Sequence, residues 1–592
     1  MQTTKEKTEM RGFFNRLLVI DAGTGKFHVE KIEDEVLAET LGGKGLATRI
    51  LLEKNPPGVD PFSPENHFLI ALGPATDSAL YGSCRHGLFS KSPLTGFYAE
   101  SYSGGSLAIP ISRTGFDAIA VHGASDKPVW LEISEDNVKF HEAAHLCGTD
   151  TYFAEDEILR RVDGSGAGAM VIGPAGENLV KFAVVENDRW RSAGRTGLGA
   201  VLGAKNIKGI AFRGDRRREF ADPEGMKVYA RKMLVDLKDH KATLAYRNLG
   251  TPMMVAMLNN AGGFPTRYWS EGTMKGWEKI GADSMKERLN PSPRACKTCF
   301  LGCGKLIEVQ EGRHRGLKLE GPEYETLYAF GGLCLIDEIE EIAYLNDICD
   351  RLGLDTITAG NLSAFAIEAS MKGAVDEKLE YGNPEAVADL LGKISRREGI
   401  GDVLAGGICE AARKWGMEDI AVHVKGLEPA GYDPRALKGM GLAYAVSDRG
   451  ACHLRTTFYK AELAGLIDPD TVDGKSEMFV DFEDRCTLFD CMILCRFYRD
   501  FYLWDELSDV VRLTTGISAG ADELRRIAAT VTDSARLFNI REGLTTADDR
   551  LPERFFKESL PGGQKITREQ MATLVSDYYR LRGWDTRGVP KR

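Results

Sequence analysis

At 592 residues, with 43% hydrophobic and 28% charged residues, the chain has an ordinary globular composition and is too long for one core, so two to four domains are expected. A net charge of −11 leaves no domain-wide basic field, which argues against nucleic acid as a partner and reads as a solvated acidic surface. Neither an apolar leader nor an apolar window long enough to span a bilayer is present, so a cytoplasmic location is the default, and the twelve cysteines read as reduced thiols and metal ligands.

The opening stretch, MQTTKEKTEMRGFFNR, is polar and leads into a strand-like run, Leu17 to Ile20. Short β-type runs follow in HFLIALGP, FDAIAVHG, VWLEIS, AMVIGPAG, KFAVVEN and GIAFRG, each bounded by turn-forming residues. They predict an N-terminal β-rich domain over about the first 215 residues, closed by the charged stretch RGDRRREFADPEG, with a boundary near Asp215 to Glu224. Beyond it the pattern turns helical. In DEIEEIAYLNDICDRLGLD, apolar residues at Ile339, Ile342, Ala343, Leu345, Ile348 and Leu352 follow a helical period, and Gly353 is placed to cap the C-terminus. NPEAVADLLGKISRREGIGDVLAGGICEAARKWG predicts two helices separated by Gly399–Gly401. From GLEPAGYDPRALKG onward the chain is again mainly helical, with ELRRIAATVTDSARLFNIREG its clearest element. No repeat or low-complexity segment interrupts it.

ACKTCFLGCGK places Cys296, Cys299 and Cys303 in a C-x2-C-x3-C pattern. A structural zinc site needs a second ligand pair nearby, and downstream only His314, in EGRHRG, is close and alone. Radical-type iron–sulfur sites use the reverse spacing, C-x3-C-x2-C. A [4Fe–4S] cluster held by three local thiolates and one remote thiolate remains. FDCMILCRF offers Cys491 and Cys495 as the remote ligand; they would share a face of a helix, so spacing does not choose between them. Gly302 and Gly304 flank Cys303, as expected where backbone N–H groups approach cluster sulfurs. The competing reading of a cysteine is a small buried hydrophobe, and Cys147, Cys409 and Cys486 are read that way.

Over essentially its whole length the sequence resembles the tungsten-dependent aldehyde:ferredoxin oxidoreductase family. The stretches that carry the resemblance include LGGKGLATRIL, GPATDS, KSPLTGF, VIGPAGEN, GRTGLGAVLGAKNIKGI, ACKTCFLGCGK, EGPEYETLYAFG, DRLGLDT and GLAYAVSDRGACHLR, in the family's order. The resemblance implies an α+β multidomain fold. A β-rich saddle domain that binds two pterins (1–216) would precede two mainly helical domains, 217–425 with three cluster cysteines and 426–592 with the fourth. It implies tungsten, or molybdenum, on a bis-molybdopterin, a [4Fe–4S] cluster close by, and Mg2+ bridging the pterin phosphates.

The family's D-x-x-G-L-C motif makes Cys495 the fourth ligand, with Asp490 and Leu494 as pterin contacts and Ile493 standing where the family has glycine. The sister motif, D-x-x-G-L-D, is intact as Asp350 to Asp355, with Leu354 between; buried pterin N–H groups need such acceptors. Arg85 matches the arginine that bridges cluster and pterin, a task suited to its planar fork. Further cofactor contacts implied are Gly104, Gly105, Arg191, Ser192, Gly194 and Arg455, with glycines 194, 197 and 199 admitting backbone amides to the phosphates. The acid/base groups implied are Glu325, with Glu323 as the alternative, and His453.

The expected reaction is oxidation of an aldehyde to a carboxylic acid, with electrons leaving through the cluster to ferredoxin or an iron–sulfur/flavin partner subunit. The E-x-x-H motif for an intersubunit metal is not evident, the aligned stretch reading YLND, which leaves a homo-oligomer open but not that bridge. Two rival readings are a reductase of aromatic CoA thioesters, with Cys334 as a metal ligand, and a non-catalytic electron-transfer subunit. The second requires lost pterin contacts, yet Arg85, Arg191, Asp350 and Asp490 are present.

Overall fold

A computed structural model describes residues 10–162 and 164–591, so the polar opening over residues 1–9 lies outside the described residues. The described residues up to Phe212 build two six-stranded sheets. β1 (Arg16–Asp21), β2 (Lys26–Lys31), β3 (Phe68–Ala71), β4 (His86–Lys91), β5 (Tyr98–Ser103) and β6 (Ala118–His122) are ordered β2-β1-β6-β3-β4-β5, with only the β1–β6 pair parallel. The second sheet runs β11-β10-β9-β12-β7-β8, from β7 (Val129–Ile133), β8 (Val138–Glu142), β9 (Gly168–Val171), β10 (Val185–Asn187), β11 (Arg191–Ala193) and β12 (Ile207–Phe212). One apolar cluster, including Leu18, Ile70, Leu131, Met170 and Ile210, takes residues from both sheets and joins them.

Every predicted run contains a strand, although KFAVVEN contributes only its last three residues, because Val184 N–H is drawn aside to Gly353 O (2.9 Å). β2 escaped notice because almost all of it faces solvent. β4 and β5 escaped because they carry Ser, Lys and Glu into the interior, where the hydroxyls are satisfied internally: Ser90 donates to His67 O and Ser103 to Asn187 Oδ1, both at 2.7 Å.

The charged boundary stretch is fastened to the first sheet. Arg218 is fully buried, donates to Asp117 Oδ1 (2.7 Å) and Gly12 O (2.8 Å), and lies over the Phe14 ring. Removing one partner of such a buried pair costs about 3–5 kcal/mol, so this connection is held in place. The mainly helical part begins at Pro223, although helices such as Gly43–Lys54, Thr151–Arg161 and Leu198–Ala204 already pack among the two sheets. Ile339–Leu352 is helical, as its period predicts, and ends on Gly353 at φ 74°. The predicted two-helix stretch holds three helices, Pro384–Arg396, Ile400–Ala405 and Ile408–Trp415, because Gly406–Gly407 makes a second break beyond Gly399. Ala521–Arg541 is one long helix. The largest apolar cluster takes residues from both sides of position 425, for example Leu404 and Val422 together with Tyr444 and Leu574. Of the cysteines read as buried hydrophobes, Cys486 is buried, Cys409 is half-buried beside His423, and Cys147 is exposed, a correction. Among the described residues no helix is long and apolar enough to cross a membrane.

Candidate active site

The cysteine triplet lies on the turn between β13 (Ser292–Arg294) and β14 (Gly304–Glu308), which pair antiparallel, with β15 (Lys318–Glu320) on the far side of β14. Left-handed residues at Thr298 (φ 51°) and Gly302 (φ 57°) bend the turn around. Gly82 ties it to the C-terminal part of the chain: its N–H donates to Thr298 O (3.1 Å) and its carbonyl accepts from Cys495 N–H (2.9 Å). Tyr498 adds a second tie, its hydroxyl donating to Cys299 Sγ (3.4 Å) while accepting from Phe300 N–H (3.2 Å). Gly105 N–H donates to Cys296 Sγ (3.2 Å).

As a result Cys296, Cys299, Cys303 and Cys495 line one cavity of about 290 Å3, with Arg85 and Gly104 in the same wall. A side-chain carbon on Gly104 would lie 2.8 Å from Cys296 Sγ, so the backbone approaches the thiol as only glycine allows. Burial pushes the Cys303 and Cys495 thiols up, and at Cys303 the facing Glu323, Cys495, Cys296 and Cys299 add to it. Cys491 is elsewhere: it ends the helix Lys475–Cys491 and packs in an apolar cluster with Leu41 and Met492.

The two aspartate motifs share one backbone shape. At Asp350 to Asp355 the helix stops, Gly353 turns left-handed, and Leu354 N–H returns to Cys349 O (2.9 Å). At Asp490 to Cys495 the helix stops, Ile493 takes φ 52°, and Leu494 N–H returns to Phe489 O (2.7 Å). Both are glycine-type C-caps that put an aspartate in the last helical turn and a Leu just beyond. Isoleucine reproduces the conformation because its side chain, 1% exposed, is held in the core with Phe89.

Asp350 accepts from Asn346 Nδ2 (2.8 Å), and burial, with Glu186 next, raises it well above the carboxylate range. Asp355 caps the helix Thr356–Met371 through Thr358 N–H (3.0 Å) and pairs with Arg195 (3.5 Å). Asp490 is bonded to Arg455 and Arg496, and Arg455 also meets Glu100, so the cation expected to face the cofactor is shared between two carboxylates. Arg191 meets Glu320, and Ser192 donates to Glu186 Oε1 (2.7 Å). Arg85 donates to Tyr102 O (3.1 Å). Gly194 lines the cavity, whereas side-chain carbons on Gly197 and Gly199 would collide with the carbonyls of Lys181 and Val184; these two glycines serve packing of the chain on itself, against expectation.

A second cavity, about 530 Å3, shares Arg85, Ser192, Gly194, Glu323, Glu325 and Asp355 with the first and adds Leu494, Arg455 and His453. Glu325 Oε1 stands 3.4 Å from His453 Nε2, while its Oε2 accepts from Gly431 N–H (3.0 Å). Glu325 is carried there by a short helical turn that runs on into the π-helical turn Leu327–Gly332. Burial pushes the Glu325 carboxyl up to about 8. His453 is held well below its ordinary value by burial and then by Arg195, Arg449, Arg455 and Arg499. Both members of the pair are therefore neutral at pH 7 in this protein environment. Glu323 points elsewhere, accepting from the Thr251 hydroxyl. Cys334 is fully buried, donating to Ala329 O (3.6 Å) and Gly360 O (3.4 Å), and lines neither cavity; the reading that made it a metal ligand is corrected.

Sequence reasoning missed Lys44, Glu100, Arg195, Glu320, Arg449 and Cys452. Lys44 joins Glu100 (3.1 Å) and Asp448, and Arg449 Nη2 donates to Cys452 Sγ (2.9 Å). A charge beside the apolar run of the helix Gly43–Lys54 was the available signal for Lys44, whereas Glu100 lies in the polar run YAESYS, which gave none.

Two family profiles cover most of the chain: "Aldehyde ferredoxin oxidoreductase, N-terminal domain" matches residues 17–214, and "Aldehyde ferredoxin oxidoreductase, domains 2 & 3" matches 229–592. The chain belongs to the aldehyde ferredoxin oxidoreductase family. Among its relatives, the tungsten-containing aldehyde ferredoxin oxidoreductase of Pyrococcus furiosus is 35% identical over 98% of both chains. That of Thermococcus kodakarensis is 34% identical, again over 98% of each. The aliphatic sulfonate oxidoreductase, WOR-like subunit, of Pyrococcus furiosus is 29% identical over 98% of this chain and 96% of its own. In fold, the chain is similar to the active-site complex BamBC of benzoyl coenzyme A reductase, with a TM-score of 0.85 at 24% identity over 98% of this chain and 96% of that one.

Proposed function

We propose that this member of the family oxidises aldehydes to carboxylic acids and passes the electrons through an iron–sulfur cluster to ferredoxin or an iron–sulfur/flavin partner subunit. The observation that carries the proposal is the junction of two cavities, one walled by four thiols and the other by the Glu325–His453 pair, with shared lining. The relatives' tungsten supports the same reading.

The residues suit the groups this requires. Four thiols about one cavity fit a [4Fe–4S] cluster held by Cys296, Cys299, Cys303 and Cys495. Buried Arg455 Nε and Arg496 Nε lack hydrogen-bond partners, and the acceptors Asp350, Asp355 and Asp490 stand in the same walls, a set matched to the donors and phosphates of two pterins. The two-sheet unit would be the saddle that holds them, and Mg2+ would neutralise their phosphates. When bound, the tungsten or molybdenum centre supplies a Lewis acid and a two-electron acceptor.

The chain's own residues supply the proton chemistry. An aldehyde and one water yield a carboxylic acid, two protons and two electrons. Ionised Glu325 takes a proton from the water or hydrate, and Gly431 N–H stabilises the carboxylate. His453, kept neutral by burial and then by the surrounding arginines, donates a hydrogen bond to the carbonyl oxygen as charge grows there. The four-thiol site would hold the group that carries the electrons away, and free cysteines among the described residues accord with a reducing cytoplasm. Anaerobic expression, metal analysis and a dye-linked aldehyde assay test the proposal: tungsten or molybdenum with about four iron atoms per chain is expected. Protein with neither metal, or full metal without aldehyde oxidation, would overturn it.

A further inference from the structure

The proposed reaction frees two protons for each aldehyde inside a buried site, and three cavities in series lead from that site to the surface. The first is the larger cavity beside Glu325 and His453. Arg455 and Asp490, in its wall, also line a second cavity of about 20 Å3, whose other sides include Asp448, Glu483, Thr487 and Thr532. That volume has room for a water molecule, and the wall is polar enough to hold one. Asp448 Oδ1 is buried and lacks a hydrogen-bond partner among the described residues, while its Oδ2 meets Lys44. An unpaired buried carboxylate oxygen is costly, and a water that donates to it and bridges to a neighbouring wall removes the cost.

Trp584 carries the series outward. It lines the second cavity and a third of about 550 Å3, which opens among the exposed residues Gly583, Thr586 and Lys591. The partition between these two is again polar: Arg536, in the second, pairs with Asp549 (2.7 Å) and donates to the Tyr579 hydroxyl (3.3 Å), both in the third. Glu483 accepts from the Tyr578 hydroxyl (2.8 Å) and pairs with Arg582. An arginine does not give up its proton, so the carboxylates and hydroxyls, with water between them, are the groups able to relay one. We propose that this series is the route by which protons leave the cofactor site, passing from Asp490 through water in the second cavity to Glu483 and on to the outer cavity. The inference rests on the aldehyde-oxidation reading and adds the fate of its protons. Only O–H bonds are made and broken along the way, each carboxylate taking a proton on one side and releasing it on the other.

The test uses anaerobically prepared holoenzyme, wild type, Glu483→Gln and Thr487→Val. Glutamine keeps the shape of the side chain but does not pass a proton as a carboxylate does, and valine replaces a hydroxyl of the cavity wall by a methyl group. Crystals are examined for an ordered water on Asp448 Oδ1. Dye-linked oxidation of hexanal is followed in H2O and D2O, with and without imidazole as a small proton carrier. Proton uptake on reduction by a viologen is read with a pH-indicator dye. The wild type should show the water. Both variants should keep KM, metal and iron, while kcat falls roughly tenfold, the solvent isotope effect grows and imidazole restores part of the rate of Glu483→Gln. Proton uptake should slow by a similar factor. Unchanged kcat and proton uptake in both variants, or no water in the wild type, would overturn the proposal. So would loss of metal or iron in both, which would assign these side chains to the framework alone. If the wild type oxidises no aldehyde while Glu483→Gln still slows proton uptake, the activity reading fails and the proton route stands.

Discussion

Ile493 allows a sharp test of the C-cap geometry. It holds φ 52°, a left-handed conformation that costs a side-chain-bearing residue about 1–2 kcal/mol, yet its side chain is 1% exposed and packed with Phe89. Ile493→Ala removes the packing but keeps the strain, so a loss of about 2–5 kcal/mol is expected. Ile493→Gly removes the same packing and relieves the strain, but adds backbone freedom to the unfolded chain worth about 0.4–1 kcal/mol. Glycine should therefore be the more stable of the two variants by about 0.8 kcal/mol, the reverse of the usual order inside a helix or strand. Denaturant midpoints of wild type and both variants, prepared alike and read by tryptophan fluorescence, give the order directly. Finding Ala more stable than Gly would refute a left-handed residue 493, and with it the shared shape of the two aspartate motifs.

Three further outcomes are expected. Because Glu325 must be ionised to accept a proton and its pKa is near 8, only about a tenth of it is in the active form at pH 7; kcat/KM should rise with pH and level off above about 9. Glu325→Gln should remove that dependence and cost about 10²–10⁴ in rate, and a wild-type profile flat from about pH 6 to 9 would reject the assignment. Cys495→Ser should lower iron per chain and abolish the cluster's paramagnetic signal, whereas Cys491→Ser should keep both and lose only about 1–3 kcal/mol of stability; the opposite pattern would transfer the ligand to Cys491. Gly104→Ala, whose new carbon would stand 2.8 Å from Cys296 Sγ, should reduce cluster content, and iron loading equal to wild type would show that the loop yields freely.

Much of this was legible in the linear sequence because its physics is local. Apolar runs between turn residues marked strands, the spacing of Ile339 to Leu352 marked a helix, and Gly353 marked its end. C-x2-C-x3-C fixed three thiols on one turn, and a family resemblance extended over the whole length identified the partner motifs. Local spacing could not choose between Cys491 and Cys495, since the choice depends on which thiol the chain reversal at Ile493 turns toward Gly82 and the distant loop. Nor could it place Glu325 rather than Glu323 beside His453, because two residues along a helical turn point to different walls. The long-range charge arrangement was likewise decided by tertiary structure. Lys44, Glu100, Arg455 and Asp490 are far apart in the chain and meet only because the sheets and the helical part close on them.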